Sequence, residues 1–167
     1  MSADIDALIA RLALVPHPEG GFYRETWRAG EAIPEAALPP RFAGPRAFGT
    51  AILFLLPAGS FSALHRIAGD ELWCFHLGDP LVVHTLDDDG RRADLLLGPD
   101  PARHALQAVV PHGVTFGARV APGGAWSLVS CVVTPGFDFA DFTMPSRAEL
   151  LARFPDHAAL VRELTRA

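Results

Sequence analysis

Short apolar runs separated by turn residues fill the chain from Phe48 to Thr134. The runs recur about every ten residues, and the segments between them are rich in Gly, Pro and Asp, as in a β-sandwich or β-barrel. Many runs are apolar at consecutive positions, which predicts strands buried on both faces. The runs are FGTAILFLL, ELWCFHL, LVVHTL, ADLLLG, HALQAVV, VTFGARV and AWSLVSCVV.

Helices are predicted at both ends of the chain. Over residues 2–14 apolar side chains recur at helical spacing, with Ser2 as the N-cap. Residues 146–167 are predicted to form the C-terminal helices, because Ser146 and Glu149 have the spacing of a capping box. Pro155 interrupts this region, and Asp156 is predicted to cap the last helix.

Two other segments connect or close the predicted barrel of residues 22–142. Residues 29–46 are rich in Pro, Gly and Ala and predict a surface loop within the domain. The stretch VTPGFDFADF, residues 133–142, alternates Phe with acidic residues. We expect it to be a strap packed over an open end of the barrel, with a partner interface as the alternative.

Composition indicates one globular domain, residues 1–167, with half of its residues hydrophobic and 20% charged. The net charge of −5 and the scattered Arg residues argue against nucleic-acid binding. The first residues have no basic start, and no apolar run reaches the length of a membrane span, so a cytoplasmic location is expected. Cys74 and Cys131 lie in apolar runs and are predicted to be buried thiols, with a disulfide between neighbouring strands as the alternative.

Residues 59–78 carry a spacing that resembles the first motif of the cupin superfamily. Gly59, His65, Glu71 and Gly78 match this motif, and Pro111, Gly113 and Phe116 match the second motif with Phe in place of His. The stretches HPEGGFYRETW, HRIAGDELWCFHLGDPL, VVPHG and VTPGFDFADF resemble one small cupin family of unknown function. The resemblance extends from His17 to about Phe154.

This resemblance implies an all-β double-stranded β-helix, the cupin or jelly-roll barrel, with short N- and C-terminal helices. It also implies a homodimer and a shape related to dTDP-4-dehydrorhamnose 3,5-epimerase, whose barrel His removes a proton next to a carbonyl without a metal. His65 is at the position of such a base. The family itself brings no established reaction.

The metal site typical of cupins is incomplete in this sequence. The resemblance implies three His and one Glu as ligands, but Ile67 and Phe116 occupy two of the His positions. A zinc or non-haem iron site needs at least three protein ligands. We therefore expect no cofactor, and at most a divalent ion held weakly by His65 and Glu71.

Strand alternation predicts the residues that surround a small-molecule pocket in the barrel. If Glu71 points into the barrel, Trp73 and Phe75 point inward as well. Ile67 and Phe116 are at the two positions where the cupin motifs have His ligands. Gln107 is expected to reach the pocket from its own strand. The pocket is therefore predicted to be aromatic, with one ionisable pair.

His65 is the predicted base, Glu71 its orienting partner and Tyr23 a candidate acid. Arg24 is a candidate clamp for a carboxylate or phosphate, but alternation allows only one of Tyr23 and Arg24 to face the pocket. A hydrogen-bonded pair without chemistry is the alternative for His65 and Glu71.

Three hypotheses follow from these predictions. The first is a metal-independent isomerase or epimerase that acts on a carbohydrate-like compound, with a sugar nucleotide as one candidate ligand. The second is a metal-dependent cupin enzyme with altered ligands, and the third is a non-catalytic module that binds a small ligand.

Overall fold

The computed structural model describes residues 3–166, which form twelve β-strands and three α-helices. The strands are β1 Val15–Pro16, β2 Phe22–Arg28, β3 Ala32–Ile33, β4 Arg46–Ala47, β5 Thr50–Pro57, β6 Ser62–His65, β7 Asp70–Gly78, β8 Leu81–Leu86, β9 Arg92–Leu97, β10 Gln107–Val110, β11 Thr115–Val120 and β12 Trp126–Thr134. The helices are α1 Ala3–Arg11, α2 Arg147–Arg153 and α3 Ala158–Glu163, and short 3-10 helices span Glu35–Ala37, Phe139–Asp141 and Pro155–His157. The predicted cap Ser2 lies outside the described residues.

Two antiparallel sheets face each other and enclose the main core. The larger sheet has the order β1-β2-β5-β12-β7-β10, and the smaller has the order β6-β11-β8-β9. Strands that are distant in sequence are therefore neighbours, as in a roll whose successive strands alternate between sheets. The all-β sandwich or barrel predicted from the apolar runs and the jelly-roll barrel implied by the resemblance are both confirmed.

The core between the sheets contains large side chains from both. Phe54 and Trp73 come from the larger sheet and Phe116 from the smaller one, and each is at most 1% exposed. Their rings meet edge to face, with centroids of Trp73 and Phe116 6.5 Å apart. Edge-to-face contacts of this kind stabilise a core beyond the area they bury.

Helices cover the outer faces of both sheets. Ile5 of α1 packs with Leu55 and Leu128 on the larger sheet, and Leu150 and Val161 of the C-terminal helices pack on the smaller one. None of the helices among the described residues is long and apolar enough to cross a membrane.

The predicted capping box at the start of α2 is confirmed. The Ser146 hydroxyl accepts from the Glu149 amide, and the Glu149 carboxylate accepts from the Ser146 amide. The predicted cap at Asp156 is wrong, because Asp156 lies inside a 3-10 turn that begins at Pro155 and α3 starts at Ala158 without a side-chain cap.

Residues 29–46, predicted to be a surface loop, contain regular secondary structure. They include the strand pair β3–β4 and a 3-10 helix, and the Arg46 side chain at the end of this segment is 4% exposed. The guanidinium makes two hydrogen bonds to Asp141, from Nη2 to Oδ1 at 2.6 Å and from Nε to Oδ2 at 2.7 Å. This buried ion pair ties the loop to the strap.

Both cysteines are free thiols that belong to neighbouring strands of the larger sheet. Cys131 is buried, as predicted, and Cys74 is only partly buried. Because Cys131 is opposite Trp73 and Cys74 is opposite Ser130, the two thiols point to different faces of the sheet. They are not placed to form a disulfide.

Candidate functional site

A cavity of about 280 Å³ opens between the two sheets at the end where β6 finishes and β7 begins. Strands of the larger sheet supply half of its lining residues, the turn before β2 supplies one side, and the strap covers its mouth. The lining residues are His17, Glu19, Tyr23, Glu25, Arg28, Thr50, Ile52, His65, Ile67, Glu71, Cys131, Val133, Phe137, Asp138, Phe139 and Phe142.

His65 lies at the end of β6, 2% exposed, with both ring nitrogens engaged. Its Nδ1 is 2.7 Å from the Ala63 carbonyl oxygen, which can only accept, so Nδ1 carries a hydrogen. Its Nε2 is 3.2 Å from Oε2 of Glu19. A lone pair facing a carboxylate would be repelled, so the His65–Glu19 pair shares one further proton.

Glu19 reaches His65 because the turn before β2 holds it against β6. Gly20 has a φ of +116°, and a Cβ there would lie 2.1 Å from the Phe61 carbonyl oxygen. The Glu19 carbonyl accepts from the Ala63 amide at 2.9 Å, and Oε1 accepts from the buried Ser62 hydroxyl at 2.9 Å. The turn therefore fixes both the backbone and the carboxylate of Glu19.

This geometry corrects the predicted pairing of His65 with Glu71. The carboxylate in ion-pair contact with His65 is Glu19, which the sequence analysis did not single out. Glu71 lines the same cavity from β7, opposite Val133 of β12. The two predicted residues thus share one cavity, but Glu71 does not orient His65.

Glu71 is a separate buried carboxyl group, 7% exposed. Burial, and secondarily the negative charge of Glu19, raises its pKa to about 8. Glu71 therefore carries a proton at neutral pH and loses it just above. A group with a pKa near the working pH suits general acid–base catalysis.

The Cys131 thiol lines the cavity next to Glu71. Burial, together with the charge of Glu71, raises its pKa well above the ordinary value for a thiol. The thiolate is the nucleophilic form of cysteine. Cys131 is therefore a packing residue with an inert thiol rather than a nucleophile.

His17 is a second site residue that the sequence analysis missed. Its Nδ1 accepts from the Glu19 amide at 3.3 Å, so the neutral ring carries its hydrogen on Nε2. Burial is the main cause that lowers its pKa, followed by the opposing effect of Glu19 and the lowering effect of His65. The ring packs edge-on to Tyr23, with centroids 4.5 Å apart.

The segment HPEGG contained a usable signal for both missed residues. Glu19 directly precedes Gly20 and Gly21, whose φ values are positive, and His17 lies two residues before Glu19. Two ionisable side chains before a double glycine indicate a turn that fixes them in place.

Tyr23 lines the cavity, and Arg24 does not. Tyr23 is opposite Phe54 on β5 and points inward, whereas Arg24 is exposed on the opposite face of β2. This corrects the prediction of Arg24 as a pocket residue, for the reason that alternation supplied. The Arg that lines the cavity is Arg28, after a bulge in β2.

The aromatic residues that were predicted to face the ligand pack in the core behind the residues that line the cavity. Ile67 lines the cavity, but Phe116 packs behind His65, with ring centroids 4.1 Å apart, and Trp73 is buried in the core beyond it. Phe75 packs on the same core. These placements correct the prediction that Trp73, Phe75 and Phe116 face the ligand.

Gln107 also lies outside the cavity. It is on the edge strand β10 opposite Cys74, and its Nε2 is 3.4 Å from the Cys74 sulfur on the outer face of the sheet. The prediction placed Gln107 inside because the sequence does not show on which face an edge-strand residue lies.

The aromatic side chains of the cavity come from the strap instead. Phe137, Phe139 and Phe142 line the mouth and pack on one another, with centroids 5.0 to 6.2 Å apart. Backbone hydrogen bonds between Arg66 and Thr143 hold the end of the strap against β6. The prediction of a packed strap over an open end of the barrel agrees with this arrangement.

The lining residues do not fit the metal that the cupin resemblance implies. Ile67 offers no lone pair to the cavity, and the two nitrogens of His65 are engaged by Ala63 and Glu19. Within residues 3–166 no group of three or more His, Cys, Asp or Glu side chains is arranged to hold a metal ion. The described residues of the lining therefore lack the three protein ligands that a zinc or non-haem iron site needs.

Two solved structures are similar to this chain over almost its whole length. Protein SO0799 from Shewanella oneidensis is 38% identical, with a TM-score of 0.86 and 96% of each chain covered. A hypothetical protein from Leishmania major is 36% identical, with a TM-score of 0.88 and all of both chains covered. No curated protein matches the sequence.

A more distant likeness concerns the fold alone. Oxalate decarboxylase from Bacillus subtilis is 15% identical, with a TM-score of 0.54, and the match covers 89% of this chain and 36% of the decarboxylase. In sequence, residues 6–145 match the family described as Cupin superfamily (DUF985). That match spans most of the chain, and on this ground the protein belongs to the DUF985 family of the cupin superfamily.

Proposed function

We propose that this cupin binds a small carbohydrate-like molecule and catalyses a metal-independent isomerisation or epimerisation next to a carbonyl. The observation that carries the proposal is that two separate proton-holding units, the His65–Glu19 pair and Glu71, line one cavity. An isomerase of this kind needs a base for a C–H proton and an acid for the carbonyl oxygen.

The environments of the two units assign their roles. Glu71 is protonated at neutral pH because burial raises its pKa to about 8, and it is the acid that donates to the carbonyl oxygen. The His65–Glu19 pair holds one shared proton between Nε2 and the carboxylate, and a carboxylate oxygen of Glu19 takes up a second proton from carbon. The return of this proton to carbon, and of the oxygen proton to Glu71, completes the isomerisation with no net change in the protein.

Exchange of substrate hydrogen with solvent tests this chemistry directly. Free and phosphorylated aldoses and ketoses would be incubated in D₂O with protein treated with a chelator, and deuterium next to the carbonyl would be measured by NMR. We expect exchange to fall about 10²-fold or more in His65→Ala and in Glu71→Gln. His76→Ala removes an exposed imidazole on the outer part of β7 and is the matched control, for which we expect the wild-type rate of exchange.

One observation favours a second function, a module that binds a small ligand without turnover. Both nitrogens of His65 already have partners, as expected for a buried polar group that is simply satisfied. Ligand binding by the wild type without deuterium exchange in any sugar would support this function and contradict the isomerase.

A further inference from the structure

We propose that the cavity accepts an uncharged hydroxycarbonyl compound, such as a free ketose, and discriminates against its phosphate ester and against sugar nucleotides. This proposal names the substrate class for the function proposed above and rests on it for the carbonyl group. It differs from the expectation of a sugar-nucleotide ligand.

The balance of charge around the cavity opposes an anion. Carboxyl groups line it at depth, from Glu19 and Glu71, and at the mouth, from Glu25 and Asp138. Among the described residues that line the cavity Arg28 is the one arginine, and the sequence contains no lysine. Glu71 is neutral at pH 7, and the His65–Glu19 and Arg28–Glu25 pairs are each neutral overall, so the Asp138 carboxylate gives the lining a net negative charge that opposes an anion.

Arg28 is already committed to protein partners. Its Nε and Nη2 donate to the two carboxylate oxygens of Glu25 at 3.0 and 2.8 Å, and Nη2 also donates to the Phe137 carbonyl at 3.2 Å. A phosphate is held best by a guanidinium that offers two free parallel donors. Arg28 would have to break its bidentate pair to provide them, and Arg24 points away from the cavity.

The remaining polar groups suit a neutral ligand. His17 presents its Nε2 hydrogen as a donor, and Glu71 in its acid form presents a second. A carbonyl oxygen accepts from such donors without bringing charge into the cavity. Hydroxyl groups of the same ligand can donate to the oxygens of Glu19.

Size and surface point in the same direction. The cavity of about 280 Å³ is slightly smaller than the usual range for ligand sites, about 300–1,000 Å³. It has room for a free sugar, while a nucleoside diphosphate would extend past the mouth. The rings of Phe137, Phe139 and Phe142 offer apolar faces to the C–H groups of a sugar ring or chain.

Calorimetric titration at pH 7 with matched pairs of ketoses and their phosphates, from dihydroxyacetone to fructose, tests the proposal. We expect at least one free ketose to bind about tenfold tighter than its phosphate, and dTDP-glucose not to bind. Equal or tighter binding of the phosphates would overturn the proposal. Binding of dTDP-glucose would also overturn the proposal, as would a lack of binding by every free ketose. Binding of the cation tetramethylammonium when no free ketose binds would likewise overturn it.

A matched pair of variants isolates the charge argument. Phe139 is 54% exposed at the mouth, so Phe139→Arg and Phe139→Gln should both fold. Relative to Phe139→Gln, Phe139→Arg should bind the phosphate about threefold to tenfold tighter and the free ketose equally well. No gain for the phosphate would contradict the argument.

Deuterium exchange separates failure of this inference from failure of the proposed function. Exchange in phosphorylated sugars alone would leave the isomerase intact and overturn the neutral substrate class. Tight binding of free ketoses without exchange would leave the ligand class intact and overturn the isomerase.

Discussion

Glu19, in the turn before β2, and Glu71, on β7, line one cavity, and the negative charge of Glu19 contributes to the raised pKa of Glu71. The two carboxyl groups are unequal because Glu19 has Ser62 and His65 as partners, whereas burial is the dominant effect on Glu71. Because their environments differ, two carboxyl groups in one small site can serve as a base and as an acid at the same pH.

Replacement of Glu19 tests the coupling between these groups. Glu19→Gln keeps an acceptor for Ser62 but removes the charge, so the pKa of Glu71 should fall and the His65 pair should lose its shared proton. We expect deuterium exchange to drop about 10²-fold and its alkaline limit to move to lower pH. Glu31→Gln, at an exposed position outside the cavity lining, is the control, and an unchanged pH profile in Glu19→Gln would contradict the coupling.

The pH dependence of stability should report Glu71. Its pKa is about 8 in the folded protein and about 4.5 when unfolded, so between these values the folded state binds the extra proton. The free energy of unfolding should therefore decrease as pH rises from 4.5 to 8, by a few kcal/mol at most. Urea unfolding of Glu71→Gln should lack this decrease, and an identical slope in wild type and variant would refute the assignment.

The turn that holds Glu19 should be sensitive to a single methyl group. Gly20→Ala combines a positive φ with a contact on the Phe61 backbone, so we expect a loss of about 3 kcal/mol or more of stability. Gly90→Ala also has a positive φ, +77°, but nothing within 4 Å, and should lose about 1–2 kcal/mol. Equal losses in chemical denaturation would show that the Phe61 contact is unimportant.

The ion pair between Arg46 and Asp141 should contribute far more than the pair at the mouth. Arg46→Ala leaves a buried carboxylate unpaired and should cost about 3–5 kcal/mol. Arg28→Ala breaks a half-exposed pair with Glu25 and should cost about 1 kcal/mol or less. Thermal unfolding of both variants checks this difference. Similar losses of stability would show that the Arg46–Asp141 pair is not what holds the strap.

The fold was predictable because local signals and global packing agree. Apolar runs such as residues 50–57 and 126–134 alternate with turns along the chain, and both runs became central strands of the larger sheet. Alternation also correctly required that Tyr23 and Arg24 occupy opposite faces. Period and turn chemistry are properties of neighbouring residues, so the sequence displays them.

The contacts of the site were less predictable because they join distant segments. His65 was identified from a motif, but its partner Glu19 lies in a turn with no strand period to reveal its direction. Arg46 looked like a loop residue because its partner, Asp141, is near the other end of the chain. Trp73 and Phe116 were predicted to contact the ligand because strand alternation shows on which face of a sheet a side chain lies. It does not show whether that side chain lines the cavity or is buried in the core behind it.

The segment before β2 supplies His17 and Glu19, whereas the barrel strands supply His65 and Glu71. A fragment that begins at Phe22 would keep every strand of the smaller sheet and still carry the barrel imidazole without its counter-charge. Variants of this family that are truncated to the first long strand would therefore lose His17 and Glu19 from the site, together with the helix that packs on Leu55 and Leu128.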